Sequence, residues 1–561
     1  MSTTQQHPAC PTHTPVVICG GGPSGLFLAL DLAQRGIKSL LIEPREQIDH
    51  LRPRAKTTNA RTMTHLRRLG LADTLRQAAS LPMEYSQDVI FCSTLTGFEI
   101  TRFHEAFQLS RGPYRWQPEC GQQVPQPIVE KVLRAKVASN PLITTWIGHT
   151  VTGVAQLSTL SAYGHPRHQV SCEDAAGNQY SVSADFVIGA DGSSSVVRKS
   201  LGIKLEGGSA ALSNVSAVFT APELAQRVEL DPAVQYWVLS EGVSGMIGRM
   251  DLADTWWAII QGVDAQDPDF DVTAAIHTMV GADVDLQILA TDPWTARMLL
   301  ASSYGRAGVY LVGDAAHLNP PWGGHGFNTC IGDASNLAWK LAAVLQGWAE
   351  VKLLESYEPE RRQVAQRTIA DAANNGKALA YDFASSMLNT AGPEGEQARA
   401  VAREQLEVKA SEFHSLGLVL GYHYADSPII VPDGTQPPAA HPINYTPSTT
   451  PGCLLPHAWL GPGHALYDEL GTGFTLLLDR QTAHGQENLR TIAQIREFAE
   501  TSGIPLTVRN IDTQQLPEDS RWSAQALLVR PDQHVGWQGN DLSSVIDALQ
   551  LCTGSRSATL V

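Results

Sequence analysis

Short apolar runs and longer amphipathic stretches alternate along the first part of the chain. Residues 16–19 (VVIC) form a compact β-branched run, a glycine-rich break follows, and residues 26–35 are good helix formers. Residues 38–42 return as an apolar run that closes on an acid, Glu43. Strand, tight turn, helix and strand is the order of a βαβ unit, which predicts a parallel α/β layer here. YSVSADFVIGA at 180–190 and TWWAIIQGV at 255–263 read as further strands separated by turns. The middle portion therefore predicts a mixed sheet. A long helix is predicted from near Gly332, and EPERRQVAQRTIADAANNGKALAY continues with amphipathic spacing through a helical stretch over 357–420. Residues 425–452, rich in Pro, Thr and Asp, read as an extended connector, and strand-like runs resume beyond it in GFTLLLD and ALLVRPDQHVGWQG.

The first unit carries G-x-G-x-x-G as Gly20, Gly22 and Gly25, with Pro23 and Ser24 between the last two. One glycine permits the sharp turn, one lets the backbone approach a pyrophosphate, and one lets the helix pack on the strand while its N-terminal dipole faces the phosphates. Glu43, eighteen residues past the last glycine, is placed to accept a hydrogen bond from an adenosine ribose. An acid there favours an unphosphorylated ribose, hence FAD or NAD over NADP. No second G-x-G-x-x-G follows in a strand-helix context, so the chain has one such domain.

Composition narrows the partners. With 561 residues the chain is too long for one core. Asp and Glu outnumber Lys and Arg by 56 to 40, a net charge of −16, which disfavours nucleic acid, whose binding relies on basic residues. No apolar run is long enough to span a membrane, and MSTTQQHPACPTHT lacks the basic start and apolar stretch of a secretory signal, so a cytoplasmic protein without a membrane partner is expected. The eight cysteines are scattered without CxxC or Cys/His clustering, as suits reduced thiols, and no metal site is expected.

Two later loops decide between the dinucleotides. FVIGADGSSSVVRKSLGI sets an apolar strand before Gly-Ala-Asp-Gly, whose acid is Asp191, and GDAAHLNPPWGGHGFN at 313–328 packs Gly-Asp, Pro-Pro and Gly-Gly-x-Gly into sixteen residues. With the first motif, these resemble the single-component FAD-dependent aromatic hydroxylases, which share the para-hydroxybenzoate hydroxylase fold. PRAKTTNARTM, VPQPIVEKVL, QYWVL, DASNLAWKLAAVLQG and LLESYEPERR are similar to the branch that acts on phenol, 2-hydroxybiphenyl and 2,4-dichlorophenol. The resemblance runs from about residue 14 to the C-terminus. It implies an α/β fold with a Rossmann-type FAD-binding domain in three pieces (1–84, 110–205 and 295–360). A mixed-sheet substrate domain (85–109 and 206–294) is interleaved with it. A helical segment (361–424), the connector (425–452) and a thioredoxin-like C-terminal domain (453–561) follow. Packing or dimerisation is the expected role of the last, in a homodimer.

The resemblance also implies roles. FAD is held tightly without a covalent bond, NADPH or NADH reduces it, and the flavin C4a-hydroperoxide formed with O2 hydroxylates a small phenolic ring ortho or para to its hydroxyl. Asp314 binds the ribityl chain, Pro321 with Pro320 lies beside the isoalloxazine, and Gly324, Gly326, Phe327 and Asn328 bring backbone amides to the pyrimidine. Arg54 and Gln126 contact FAD, and Asp191 sits near the pyrophosphate. The branch usually carries a His in the segment matching PRAKTTN, where this chain has Lys56, and an acid where it has Val234. Lys56 is expected to stabilise a phenolate or pair with a substrate carboxylate, or to act as a base if desolvation lowers its pKa, against the alternative of an ordinary surface lysine. Tyr236 and Trp237 are candidates for the pocket wall, with core packing as the competing explanation. Glu130 reads as a structural partner, His317 as a loop-packing residue, and Arg249 as either a pocket or an exposed residue. A flavin-dependent halogenase is disfavoured because DTWWAIIQG does not match G-W-x-W-x-I-P. Oxygenation of a polyketide, polycyclic or ketone substrate, or flavin binding without turnover, are the other readings.

Overall fold

The computed structural model describes residues 11–52, 54–264, 267, 270–377, 384–480, 482 and 485–555. Cys10 and the helical expectation over 378–383 lie outside them. The first sheet runs in the order Gly305–Arg306, Val309–Leu311, Gln179–Gly189, His13–Cys19, Ser39–Glu43, Ile143–Ile147. Its strands from Val309–Leu311 to Ile143–Ile147 are all parallel. Every residue of Ser39–Glu43 is buried, as a parallel strand covered on both faces requires. The crossover helix Pro23–Gln34 covers one face and packs against the long helix His325–Leu345. That helix starts seven residues before Gly332, because the glycine-rich stretch that reads as pure loop supplies its N-cap, Gly324, at φ +64°.

The second sheet is ordered His317–Leu318, Gln287–Ala301, Leu205–Thr220, Thr255–Gln261, Ser244–Arg249, Gln235–Leu239, Val89–Cys92, Glu99–Phe103. It is antiparallel except where Gln235–Leu239 runs beside Val89–Cys92. Alternation divides it into two apolar faces. Phe91, Trp237, Met246 and Trp257 pack on one face with Trp322 and Phe413, whereas Ile90, Tyr236, Ile247 and Trp256 pack on the other under the helix Val272–Val280.

Residues 425–452 form neither helix nor strand, but Ile429 and Ile430 are buried, so this stretch is a packed strap. The C-terminal sheet runs Leu506–Ile511, Phe474–Asp479, Ala526–Val529, Val535–Gly539, with the first pair parallel and the others antiparallel. Phe474, Leu476, Leu528 and Trp537 extend the core of the first sheet. Buried charges cross the same junction: Glu360 accepts from Lys340 and Arg530 at 2.7 Å, and Arg530 also pairs with Asp532 at 2.6 Å. Such pairs are costly to break singly, because each leaves a charge without compensation. Among the described residues, all cysteines are free and buried, and no helix is long and apolar enough to cross a membrane.

Candidate functional site

Register brings the three glycine motifs together. Ile42, Cys19, Gly189 and Leu311 lie side by side across four parallel strands. The residues that follow them, Glu43, Gly20, Ala190 with Asp191, and Gly313 with Asp314, therefore emerge at one carboxyl edge. His13–Cys19 is where the strand order reverses, the position at which open α/β sheets bind ligands.

Close backbone approach explains two of the glycines. Gly20 has φ +110°, and a Cβ there would lie 2.2 Å from the Ala190 carbonyl oxygen, while one on Gly25 would lie 2.0 Å from that of Gly20. A Cβ on Gly22 would meet nothing within 4 Å, so there is open space beside the N-cap of the helix beginning at Pro23. Ser24 reaches toward Gly313, 2.6 Å from its ideal Cβ position, joining segments 289 residues apart. Glu43 is buried; one oxygen accepts from the Gly21 amide at 2.6 Å and the other from the Arg45 amide and Nε at 2.9 and 2.7 Å. A carboxylate has about four acceptor positions, which leaves capacity for a ribose hydroxyl.

Asp191 caps the helix Val196–Ser200 by accepting from the Val196 and Val197 amides at 2.7 and 3.1 Å, and its Oδ1 is buried without a protein partner. Asp314 keeps accessible surface although protein surrounds it closely enough to desolvate it, the combination expected of a cavity lining. Burial pushes its carboxyl up, and the charges of His317 and Arg54 oppose that rise, which places Arg54 in the same field. The segment carrying Arg54 and Lys56 is clamped: the Gln126 amide donates to Ala55 O and the Val124 amide to Lys56 O, both at 2.8 Å. Gln126 Nε2 donates to Glu130 at 2.9 Å, and Glu130 in turn pairs with Arg45 at 3.3 Å.

Asn328 works through its side chain as a clasp. Its Oδ1 accepts from the Asn59 amide at 2.9 Å and its Nδ2 donates to Thr57 O and Gly324 O at 3.1 and 2.7 Å. The Gly326 and Phe327 amides lie in the first turn of His325–Leu345, where N–H groups lack intrahelical acceptors and the helix dipole favours negative charge. Pro321 is exposed and Phe327 half-buried against the main core.

Sequence reasoning missed the charges beneath this loop. Asp333 accepts from His317 Nε2 at 2.8 Å and from Arg361 Nε at 2.9 Å, all three buried, and the Gly313 amide donates to Asp333 at 3.3 Å. Burial depresses the His317 pKa, but Asp333 more than offsets this and holds the imidazole above its usual value. The available signal was the pair of charged residues Asp333 and Lys340 inside the largely apolar helix His325–Leu345; Arg361 sits in a polar stretch and gave none.

The sheet face carrying Trp237 and Trp257 joins Trp322 of the glycine-rich loop. Lys56 Nζ lies 4.1 Å from the centroid of the Trp257 ring, within cation–π range. Burial lowers its pKa to about 8, and no carboxylate pairs with it among the described residues. Trp237 is fully buried on this face, stacked on Phe91 with centroids 5.2 Å apart. Val234 packs in the same apolar cluster. Tyr236 requires a correction: strand alternation turns it to the opposite face, where its hydroxyl donates to Asp231 O at 2.8 Å and accepts from the Ala233 amide at 3.1 Å. Arg249 lies on that far face too, over Trp256.

Comparison with known proteins agrees with this geometry. The FAD binding domain family matches residues 13–372, and the aromatic-ring hydroxylase C-terminal family matches residues 448–555. The chain is 31% identical to the FAD-dependent monooxygenase apdD of Emericella nidulans, over 95% of this chain and 88% of that one. It is 30% identical to 2,4-dichlorophenol 6-monooxygenase of Cupriavidus pinatubonensis, over 97% of each, and 28% identical to a putative polyketide hydroxylase of Streptomyces halstedii, over 94% of this chain and 93% of that one. The solved structure of the flavin-dependent monooxygenase PieE in complex with FAD and substrate superposes with a TM-score of 0.84 at 28% identity, over 98% of this chain and 100% of that one. The chain belongs to the FAD-dependent aromatic-ring hydroxylases and is a flavoprotein monooxygenase.

Proposed function

We propose that this monooxygenase hydroxylates a phenolic ring ortho or para to its hydroxyl, with NADH or NADPH as reductant, and that Lys56 holds the ring oxygen as phenolate. The observation that carries this reading is an ammonium without an acidic partner, set on an indole face beside the glycine-rich loop. The site fits FAD: there is open space beside the Cα of Gly22, Asp191 Oδ1 is a buried acceptor without a protein partner, and Asp314 keeps accessible surface although protein desolvates it. When bound, FAD supplies two-electron transfer from the nicotinamide and activation of O2, chemistry that belongs to the cofactor.

The protein's part is positioning and charge. The amides of Gly22, Ser24 and Gly25 lie at a helix N-terminus suited to the pyrophosphate, Glu43 to the ribose and Asp314 to the ribityl hydroxyls. The first turn of His325–Leu345 offers amides to negative charge on the reduced ring. Trp257 is buried and backs Lys56, whose Nζ is then the group to face the ring oxygen. A phenol with pKa near ~10 is scarcely ionised at neutral pH, and a nearby cation raises the fraction of the more reactive anion.

The test is oxidation of NADH and of NADPH by the purified holoprotein against phenols, hydroxybenzoates and resorcinols, with product mass recorded. A phenol that accelerates oxidation and gains one oxygen atom supports the reading. Identity to a polyketide hydroxylase over most of both chains favours a second reading, a larger polycyclic ring. Acceleration by hydroxylated polycyclic quinones and by none of the simple phenols would select it.

A further inference from the structure

Behind the glycine-rich loop lies a buried ion pair that the chemistry above does not use. Lys409 and Glu412, both buried, pair at 3.0 Å across one turn near the end of the helical segment. Lys409 Nζ also donates to Asn375 O at 3.1 Å and sits 4.8 Å from the centroid of the Trp237 ring. The second oxygen of Glu412 accepts from the Gly323 amide at 3.2 Å. Gly323 has φ +77°, a left-handed conformation that favours glycine, and a Cβ there would lie 2.6 Å from His325 Nε2. The Glu412 carboxylate is thus attached to the first of two consecutive left-handed glycines, Gly323 and Gly324, that lead into His325–Leu345.

We infer that Glu412 is a positioning residue for the flavin: by accepting the Gly323 N–H it sets the pose of 322–328, and Lys409 pairs with it and ties it to the buried sheet face through Trp237. The arrangement runs without a gap from Trp237 through Lys409 and Glu412 to Gly323, so the sheet face and the loop share one buried support. A buried donor must keep an acceptor, and Glu412 is the acceptor here. Without it the Gly323 amide has to turn toward another partner, and the amides that follow move with it. The inference rests on the family's FAD site lying against this loop.

The experiment uses two charge-neutral double variants of the full-length protein, so that neither leaves an orphaned buried ion. Lys409→Met/Glu412→Gln keeps a side-chain oxygen for Gly323, and Lys409→Met/Glu412→Leu removes it. Folding is checked by circular dichroism and thermal melting. FAD dissociation constant, visible absorption spectrum and flavin midpoint potential are then read. Wild-type FAD binding verifies the cofactor site independently of the variants. The Leu variant is expected to bind FAD at least ~10-fold more weakly, with an altered spectrum and a more negative potential, because misplaced amides stabilise the reduced ring less. The Gln variant is expected to stay within ~3-fold of wild type. Equal affinity, spectrum and potential in both folded variants would overturn the inference. If the Leu variant does not fold, loss of FAD by a folded Gln variant overturns it, since the acceptor is then present and charge alone would be the requirement. Wild-type behaviour of that Gln variant supports it.

Discussion

Replacing Lys56 with Met isolates the role of its charge, because Met keeps most of the stem that lies on Trp257. An ammonium about 4 Å from a phenolate is worth roughly 4 kcal/mol at an effective dielectric constant near 20, and partial exposure reduces this to roughly 3. At 1.36 kcal/mol per pKa unit, that moves a bound phenol from ~10 to ~8. At pH 7.5 about a quarter of the phenol is then ionised, against roughly 0.3% without the lysine, so product formation by Lys56→Met should fall ~50- to 100-fold. The gap should close toward pH 10, where the phenol ionises unaided.

The same substitution should stabilise the protein without substrate. Lys56 is lowered from 10.5 to about 8 by burial, so below about pH 8 the folded state carries it charged at the full desolvation cost, and the cost fades as pH rises toward 10.5. Relief of that penalty, less a cation–π contribution of up to ~2 kcal/mol, predicts a gain of roughly 1–3 kcal/mol. Steady-state rates and product yield from pH 6 to 10, with guanidinium unfolding at pH 7, read both effects. An unchanged pH profile, with product yield per NAD(P)H also unchanged, would refute the reasoning.

Gly22→Ala should fold normally and bind FAD at least ~10-fold more weakly, since its Cβ enters space no protein atom occupies, whereas Gly25→Ala should also lose roughly 3 kcal/mol of stability by overpacking. FAD titration and melting curves distinguish the two. Burial lowers His325 to about 4, so the folded state refuses a proton that the unfolded chain accepts below ~6.5, and stability is lost as pH falls between these values. His325→Gln should recover ~3 kcal/mol at pH 4.5 and little at pH 7.5, and equal denaturation midpoints for both proteins at the acid pH would exclude this. Tyr236→Phe should leave turnover within about 2-fold while costing roughly 1 kcal/mol for its lost backbone hydrogen bonds, and a large drop in turnover would place the hydroxyl in the reaction after all.

Local spacing along the chain carried the parts of this protein that depend on local geometry. Gly20, Gly22, Gly25 and Glu43 lie within one βαβ unit, whose turn, helix dipole and returning strand follow from two dozen contiguous residues. The loops at 189–192 and 313–328 are legible for the same reason: Gly and Pro mark a shaped backbone wherever they cluster. The face on which a strand residue lies is different, because QYWVL alternates identically whichever side is buried. Only the packing of Val272–Val280 on one face decides that Tyr236 turns away and Trp237 toward the loop. Pairing over long separations is likewise invisible to local pattern. Asp333 with His317 and Arg361, Glu412 with Gly323, and Glu360 with Arg530 each join residues whose spacing in the chain has no periodic relation. Their charges are tolerated inside only because the fold brings a partner within hydrogen-bond reach, and that proximity is a property of the tertiary structure alone.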